Sequence, residues 1–138
     1  TKPFTVEITS EFSAQDQMSG IEDGQRLWIG VTSGLIRYAI FNKFEYTTVT
    51  ADGTPKNIII TFDGNTEANV YINGVLEDTQ IVIPSSFVHT FVLGKRSDNL
   101  IYYYSPIGLL KVHKNKAMTA TEVATAYAQA KITYPTLP

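Results

Sequence analysis

The stretch ITFDGNTEANVYINGVLEDTQ, residues 60–80, contains two turn signals between three short runs rich in apolar and β-branched residues. The second signal is Asn73-Gly74, and it indicates a type I′ hairpin because both central residues of that turn need positive φ. The first is Asp63-Gly64, another dipeptide typical of turns. The stretch therefore predicts a three-stranded antiparallel meander.

Similar short segments fill most of the chain on either side of this meander. They are rich in β-branched and aromatic residues and are separated by Gly, Pro, Asn and Asp, as in strands joined by turns. The other predicted strands are residues 4–9, 27–31, 35–41, 44–50, 81–83, 87–94, 100–104 and 107–114, and the predicted loops include 13–24 and 51–57. Many short strands with regular turn signals indicate an all-β antiparallel sandwich or jelly roll of two sheets.

The first strand shows the cleanest alternation. Phe4, Val6 and Ile8 share one face, and the polar residues Thr5, Glu7 and Thr9 share the other. This pattern predicts a half-buried strand whose polar face is exposed.

One short C-terminal helix, at about residues 120–130, interrupts the β pattern. Thr119 lies three residues before Glu122, which is the spacing of a capping box. Met118 and Val123 have the spacing of a hydrophobic staple around that cap. We therefore expect the helix to begin at Ala120 and to pack a stripe formed by Val123, Ala126, Tyr127 and Ala130.

Composition limits the classes of function. The 138 residues fit one domain, residues 1–138, and the net charge of −2 lacks the positive field that nucleic-acid binding needs. The absence of cysteine excludes disulfides and thiolate chemistry. No apolar run is long enough for a membrane span. Because the chain lacks an initiator Met, we expect a mature product or part of a larger protein.

The meander and the helix together resemble a known family. TFDGNTEANVYINGVL, FVLGKRSDN and IGLLKVHKNKAMTATEVATAY are similar to the central motif, a later strand and the closing strand with helix of LamG-like, or concanavalin A-like lectin/glucanase, domains. The resemblance covers roughly residues 57–128. It implies a jelly-roll sandwich and a module that binds glycans or proteins, often in surface proteins or in phage-tail and capsid-decorating proteins, and most such domains are not enzymes.

Catalytic patterns are weak in this sequence. Glycoside hydrolysis needs two carboxylates aimed at one cleft, but Glu22-Asp23 and Glu77-Asp78 are adjacent pairs whose members point to opposite faces of a strand. His89 and His113 have no nucleophile motif beside them and no metal-ligand spacing. We therefore predict a protein that is not an enzyme.

Candidate ligand residues are aromatic and planar polar side chains, which suit sugar recognition through ring stacking and paired hydrogen bonds. Trp28, Arg37 and Tyr38 could line one face of a sheet, although core packing is an alternative role for the aromatic residues. The predicted ligand-binding residues are Arg96, Asp98, Asn99, Tyr103, Trp28 and Arg37.

No cofactor or metal is predicted, with calcium as an open alternative. The resemblance implies a possible Ca²⁺ at a sandwich rim, where Asp63, Asn65, Asp98 and Asn99 offer oxygen ligands. These residues could equally stabilise turns through their own side chains. Lys111, Lys114 and Lys116 form a small basic group, which is typical of a solvated strand end.

Two functions fit these observations. The first is a non-catalytic module that recognises a glycan or protein receptor from an extracellular, cell-surface or virion location. The alternative is a structural decoration or assembly domain of a virion or surface protein, whose partners are subunits of the parent assembly. Neither requires nucleic acid or membrane insertion.

Overall fold

The structure, a computed structural model, describes residues 2–13, 21–22, 27–41, 43–84, 92–93 and 106–138. The chain divides into two compact units. The first unit comprises Thr1–Ser10, Thr54–Pro84 and Ile107–Pro138, and the second comprises Glu11–Gly53 and Ser85–Pro106.

The described residues form ten strands and one helix. In chain order these elements are β1 (Phe4–Ser13), β2 (Ile21–Glu22), β3 (Leu27–Thr32), β4 (Leu35–Ile40), β5 (Lys43–Thr50), β6 (Asp52–Phe62), β7 (Glu67–Ile72), β8 (Val75–Ile81), β9 (Val92–Leu93), β10 (Ile107–Lys114) and α1 (Ala120–Thr133). Sheet A has the strand order β10-β1-β6-β7-β8, and sheet B has the order β5-β4-β3-β2-β9. Two antiparallel sheets and one helix confirm the predicted fold class, an all-β sandwich.

The meander is present as the sequence predicts, as β6, β7 and β8 of sheet A. Asn73 and Gly74 have φ values of +51° and +78°, so both central residues of the β7–β8 turn lie in the left-handed region that a type I′ turn requires. The Asn73 side chain adds a further constraint, because its Oδ1 accepts a hydrogen bond from the Asn57 backbone N–H at 2.9 Å. The turn is thereby fastened to the start of the apolar part of β6.

The predicted loops are shorter in the structure than the sequence indicates. Ile21–Glu22 forms β2 within the predicted loop 13–24. Residues 52–57 belong to β6, and Ala51 alone separates β5 from β6. Gly53 does have a φ of +81°. The Asp52-Gly53 pair therefore indicated a local positive φ correctly, but no long loop surrounds it.

The later predicted strands differ from the structure in part. The segment 81–83 is not a separate strand, because β8 continues unbroken from Val75 to Ile81 and Pro84 follows. Within the predicted strand 87–94 the structure describes Val92–Leu93 as β9, and the predicted strand 100–104 lies outside the described residues. The closing strand is confirmed as β10.

Strand β1 is buried on both of its faces, whereas the sequence predicts a half-buried strand. Glu7 and Thr5 are fully buried, like the apolar residues between them and beyond. The reason is that the segment before α1 covers the polar face and is held there by hydrogen bonds. Thr5 Oγ1 donates to the Lys116 carbonyl at 3.0 Å and accepts from the Met118 N–H at 2.9 Å.

The helix begins at Ala120, as predicted, and its N-terminal capping box is complete. Thr119 Oγ1 accepts from the Glu122 N–H at 3.3 Å, and Glu122 Oε2 accepts from the Thr119 N–H at 2.9 Å. Val123 packs in a buried cluster with Ile59 of β6 and Tyr71 of β7. The partly buried Met118 and Ala126 extend this cluster, so the helix lies on the same face of sheet A as Glu7. This helix is not long and apolar enough to cross a membrane, and the described residues contain no other.

The capping carboxylate makes helix stability depend on pH. The Lys116 ammonium, 2.6 Å from Glu122 Oε1, and the Thr119 N–H hold the pKa of Glu122 below its ordinary value. A carboxyl whose pKa is lower in the folded state stabilises the fold above its unfolded pKa, and this contribution is lost as pH falls through the folded pKa. We expect Glu122→Gln to lower the melting temperature more at about pH 7 than at about pH 3, as measured by circular dichroism. A difference that stays the same at both pH values would contradict this assignment.

Candidate functional site

The candidate site is one face of sheet B, which carries Trp28 from β3, Arg37 from β4 and Phe44 from β5. We call these three residues the Arg37 surface. They share a face because the register pairs Trp28 with Ala39 and Ala39 with Phe44, while Arg37 is paired with Gly30 in the adjacent row. The β3–β4 turn fixes this register, and its residues Ser33 and Gly34 have φ values of +55° and +75°.

The guanidinium of Arg37 lies against both aromatic rings. Its Cζ is 4.8 Å from the ring centroid of Phe44 and 6.0 Å from that of Trp28. The two rings are 6.1 Å apart at an interplanar angle of 59°. Arg37 is paired with Gly30, which has no side chain and therefore adds no group of its own to this face. Contacts of this kind hold a guanidinium flat and limit its rotation.

Exposure differs between the three residues in a way that matters for binding. Trp28 is only 5% exposed and forms the floor, whereas Arg37 and Phe44 are half-buried, with Nε of Arg37 itself buried. A preoriented guanidinium can donate two parallel hydrogen bonds to a carboxylate or phosphate. The adjacent ring offers an apolar surface to the rest of the same ligand. The arrangement suits an anion that also has an apolar face.

The predicted shared face is found for two residues and is wrong for the third, and a role of Trp28 and Arg37 in ligand binding stays a prediction. Trp28 and Arg37 lie together, as expected. Tyr38 is 1% exposed and lies on the opposite face, with Ile29 as its partner in β3. The correction follows from alternation, since residues 37 and 38 of one strand cannot point to the same side.

The other predicted ligand residues, Arg96, Asp98, Asn99 and Tyr103, lie outside the described residues. Their role in binding therefore stays a prediction. His89 also lies outside the described residues.

The β6–β7 turn shows what its oxygen atoms do. Asp63 Oδ1 accepts hydrogen bonds from the backbone N–H groups of Asn65 at 2.8 Å and Glu67 at 3.0 Å. This is the turn-stabilising role, since an Asp side chain replaces a backbone acceptor at the bend. The described residues include no group of three or more His, Cys, Asp or Glu placed to hold a metal ion. Calcium binding by Asp63, Asn65, Asp98 and Asn99 stays a prediction.

We expect Asp63→Ala to lower the free energy of unfolding by about 1–2 kcal/mol, because two turn N–H groups lose their acceptor. Urea unfolding with and without EDTA provides the measurement. A turn role predicts the same loss in both conditions. If the loss disappears in EDTA, the side chain acts through a bound cation and our interpretation of the turn is wrong.

Most of the other titratable residues singled out in the sequence contact neighbouring residues of the fold, where the structure describes them. Asp78 accepts hydrogen bonds from the Thr79 N–H at 2.8 Å and from the Gln80 side chain. Lys116 pairs with Glu122, and Lys111 Nζ lies 3.6 Å from Glu7 Oε2. His113 lies half-buried on β10, opposite Thr5. Of the pair Glu22-Asp23, the structure describes only the backbone of Glu22.

One polar group was missed by sequence reasoning. Glu7, Thr9 and Asn57 are all buried on the helix side of sheet A, and we call them the Glu7 cluster. The Asn57 amide donates to Glu7 Oε1 and to Thr9 Oγ1, each at 3.0 Å. Alternation placed these side chains on one face but could not reveal that the face is covered. The buried Glu7 carboxylate has this amide and the Lys111 ammonium as partners, so removing the amide should cause a large loss of stability.

Comparisons with known proteins add information on the fold. No family model and no curated protein matches the chain. The chain is similar to the solved binding domain of botulinum neurotoxin DC in complex with rat synaptotagmin II, with 14% identity over 93% of this chain and a TM-score of 0.68. It is also similar to a botulinum neurotoxin type C structure, described by cell entry dependent upon interaction with two ganglioside molecules, with 13% identity over 93% of this chain and a TM-score of 0.69.

A third similar structure is the binding domain of Paraclostridial Mosquitocidal Protein 1, with 13% identity over 94% of this chain and a TM-score of 0.66. The chain spans only 36–37% of the length of these three structures. At such identities the likeness concerns the fold alone. The chain therefore shares the β-rich fold found within toxin receptor-binding domains, and membership of the LamG-like family stays a prediction.

Proposed function

We propose that this protein is a non-catalytic binding module that recognises an acidic glycan or a protein receptor, and that the Arg37 surface makes the ionic contact. The observation that carries the proposal is the half-buried guanidinium held over Phe44 at 4.8 Å. Recognition of this kind needs a preoriented cation and a flat apolar ring, and it needs no proton transfer.

The chemistry of the site favours an anion over a neutral ligand. Trp28 beneath the guanidinium limits its motion, so little side-chain freedom is lost when a carboxylate binds. A sialic-acid carboxylate fits this description, because the sugar ring beside it can pack on Phe44. The predicted loop residues Arg96, Asp98, Asn99 and Tyr103 would add hydrogen bonds and a second stacking surface.

The similar structures support a binding role in general terms. Two of them are binding domains, one of which is in complex with rat synaptotagmin II, and the third is described by an interaction with two ganglioside molecules. Gangliosides are acidic glycolipids, which agrees with the anion preference derived from Arg37. We extend the proposal to an extracellular, cell-surface or virion location, where such partners are encountered.

A glycan array that contains matched sialylated and neutral oligosaccharides tests the proposal. We expect binding to sialylated members, and we expect Arg37→Gln to weaken it at least about tenfold, since a charge-assisted pair of hydrogen bonds contributes about 1.5–3 kcal/mol. Lys2→Gln is the matched control, because it removes one exposed positive charge elsewhere and should leave binding unchanged. Parallel arrays with Ca²⁺ and with EDTA test the calcium alternative.

The loop residues need their own variants. Tyr103→Ala and Asp98→Ala should weaken binding without changing the melting temperature if that loop contributes. Equal losses in Arg37→Gln and Lys2→Gln would contradict the proposed site. Release of reducing sugar from any bound glycan would contradict a non-catalytic role.

A further inference from the structure

The Glu7 cluster has a lysine on its other side. Strand β1 lies between β6 and β10 in sheet A, so Glu7 of β1 has Asn57 of β6 on one flank and Lys111 of β10 on the other. Glu7 Oε1 accepts a hydrogen bond from the Asn57 amide at 3.0 Å, and Glu7 Oε2 lies 3.6 Å from Lys111 Nζ. One buried carboxylate therefore lies against an amide and an amine at the same time.

Two acceptor atoms of this group are buried without a hydrogen bond. Glu7 and Asn57 are both 0% exposed, yet Glu7 Oε2 and Asn57 Oδ1 have no hydrogen-bond partner among the residues that the structure describes. Buried polar atoms are nearly always paired, because an unpaired one is destabilising, and exceptions often have a chemical role. The residue types fit such a role, since they are a nucleophile, a carbonyl electrophile and a carboxylate between them.

We propose that Lys111 and Asn57 form an intramolecular amide bond, with Glu7 as the catalytic residue. Lys111 Nζ attacks Cγ of Asn57, so the Nζ–Cγ bond forms and the Cγ–Nδ2 bond breaks. Nζ gives up two protons, which the Glu7 carboxylate relays to the departing nitrogen, and this nitrogen leaves as ammonium. The reaction is an acyl transfer that needs no oxidant, reductant or other reactant.

Glu7 has the position that both proton transfers require. Its Oε2 faces the amine that loses the protons, and its Oε1 already holds the nitrogen that gains them. While it carries a proton, Glu7 is also a neutral acid beside the Asn57 amide, whose Oδ1 gains negative charge as Nζ attacks. Thr9 is a positioning residue, because its Oγ1 accepts a hydrogen bond from the same amide at 3.0 Å and fixes the orientation of the amide.

The spacing of the strands permits the bond. Lys111 and Asn57 lie on the two strands that flank β1, so their Cα atoms are roughly 10 Å apart, twice the distance between neighbouring strands. An extended lysine side chain and an asparagine side chain together span that distance. Because one carboxylate holds both groups, little entropy is lost in bringing them together. Burial of Glu7 and Asn57 keeps water, the competing nucleophile, away from Cγ.

The bond joins β6 to β10 across β1. It closes the long stretch of chain between these strands, which restricts the unfolded state in the way that a disulfide does. The chain contains no cysteine, so an amide is a cross-link that this sequence can form without an oxidising environment.

Mass spectrometry of the denatured full chain provides the test. The linked chain weighs less than the sequence mass by one ammonia. Trypsin should release one branched peptide that contains both Asn57 and Lys111, without cleavage after Lys111. We expect this product in the wild type, in an amount that rises on incubation.

Three variants assign the roles, after circular dichroism has verified that each one folds. Lys111→Arg should lack the branched peptide, because arginine keeps the positive charge beside Glu7 but stays protonated and is not a nucleophile. Glu7→Gln should lack it as well, since an amide cannot relay the protons. Lys114→Arg is the matched control on β10 and should form the bond like the wild type, because residue 114 points to the opposite face of the strand.

Other results overturn the proposal. An unchanged sequence mass after prolonged incubation excludes the bond. An ammonia loss that persists in full in Lys111→Arg also excludes it, since ring closure at Asn73-Gly74 would release ammonia without linking two strands. A branched peptide that forms equally in Glu7→Gln excludes the catalytic role of Glu7.

Lys111→Arg also separates the bond from the hydrogen bonds of the Glu7 cluster. The cross-link cannot form in this variant, and the positive charge beside the carboxylate is kept. Unfolding measurements on substitutions of Asn57 are therefore made in this background.

Discussion

Replacing Asn57 with alanine is expected to lower the free energy of unfolding by about 3 kcal/mol, because the variant leaves a buried carboxylate without its amide donor. Asn57 is fully buried, and its side chain donates to both Glu7 Oε1 and Thr9 Oγ1 at 3.0 Å. The remaining partner of the carboxylate is Lys111, whose ammonium is 3.6 Å away and 46% exposed. Urea unfolding measures the loss directly.

Asn69 offers a matched control on the same side of sheet A. Its side chain also makes two hydrogen bonds, donating to Glu67 and accepting from the Thr79 hydroxyl, but both are exposed. Asn69→Ala should therefore cost less than about 1 kcal/mol. The double variant Glu7→Leu/Asn57→Leu should be more stable than Asn57→Leu alone, since it removes both polar partners together. Equal stability of these two variants would show that the Glu7 cluster is not an energetic unit.

The second large effect is expected at the β7–β8 turn, where Gly74→Ala should cost about 3 kcal/mol. Gly74 has a φ of +78°, and a Cβ there would lie 2.7 Å from Cδ1 and 3.3 Å from Cβ of Tyr127. The substitution therefore strains the turn and also pushes against α1, because a contact near the base of a side chain is not relieved by rotation.

Gly34 separates these two causes. It occupies the equivalent position of the β3–β4 turn with a φ of +75°, but no atom lies within 4 Å of its added Cβ. Gly34→Ala should cost only the backbone strain, about 1–2 kcal/mol. Chemical denaturation of both variants gives the comparison, and equal losses would mean that the helix does not pack on the turn as described.

Local signals in the sequence predicted local structure well. Asn73-Gly74 identified the tight β7–β8 turn, because positive φ at consecutive residues suits few dipeptides. Thr119 and Glu122 identified the first residue of the helix, since a capping box requires that spacing. These features depend on residues close in the chain, and no tertiary information is needed to recognise them.

Features that depend on distant contacts were not predictable in the same way. The alternation in β1 correctly separated Glu7 from Val6, but it could not show that residues 116–118 and α1 cover the polar face. A strand pattern shows which residues share a face and says nothing about what packs against it. The buried partnership of Glu7 with Asn57 joins residues fifty positions apart and has no local signature.

The candidate site could be predicted in part, because it depends on one local turn and on one strand pairing between more distant residues. Once the Ser33-Gly34 turn is recognised, hairpin register pairs residue 30 with 37 and residue 28 with 39, so Trp28 and Arg37 must share a face. The same register excludes Tyr38 from that face. The contribution of Phe44 depends on the β4–β5 pairing, whose register shifts between Leu35 and Arg37 and could not be derived from turn length.

Intrinsic fluorescence tests the central claim, that an acidic ligand binds beside Arg37. The chain contains one tryptophan, Trp28, so its emission reports on this surface alone among all parts of the protein. Titration with sialyllactose should produce a saturable change in emission that is absent with lactose and lost in Arg37→Gln. Calorimetric binding of sialyllactose with no change in Trp28 emission, or with full affinity in Arg37→Gln, would contradict the account.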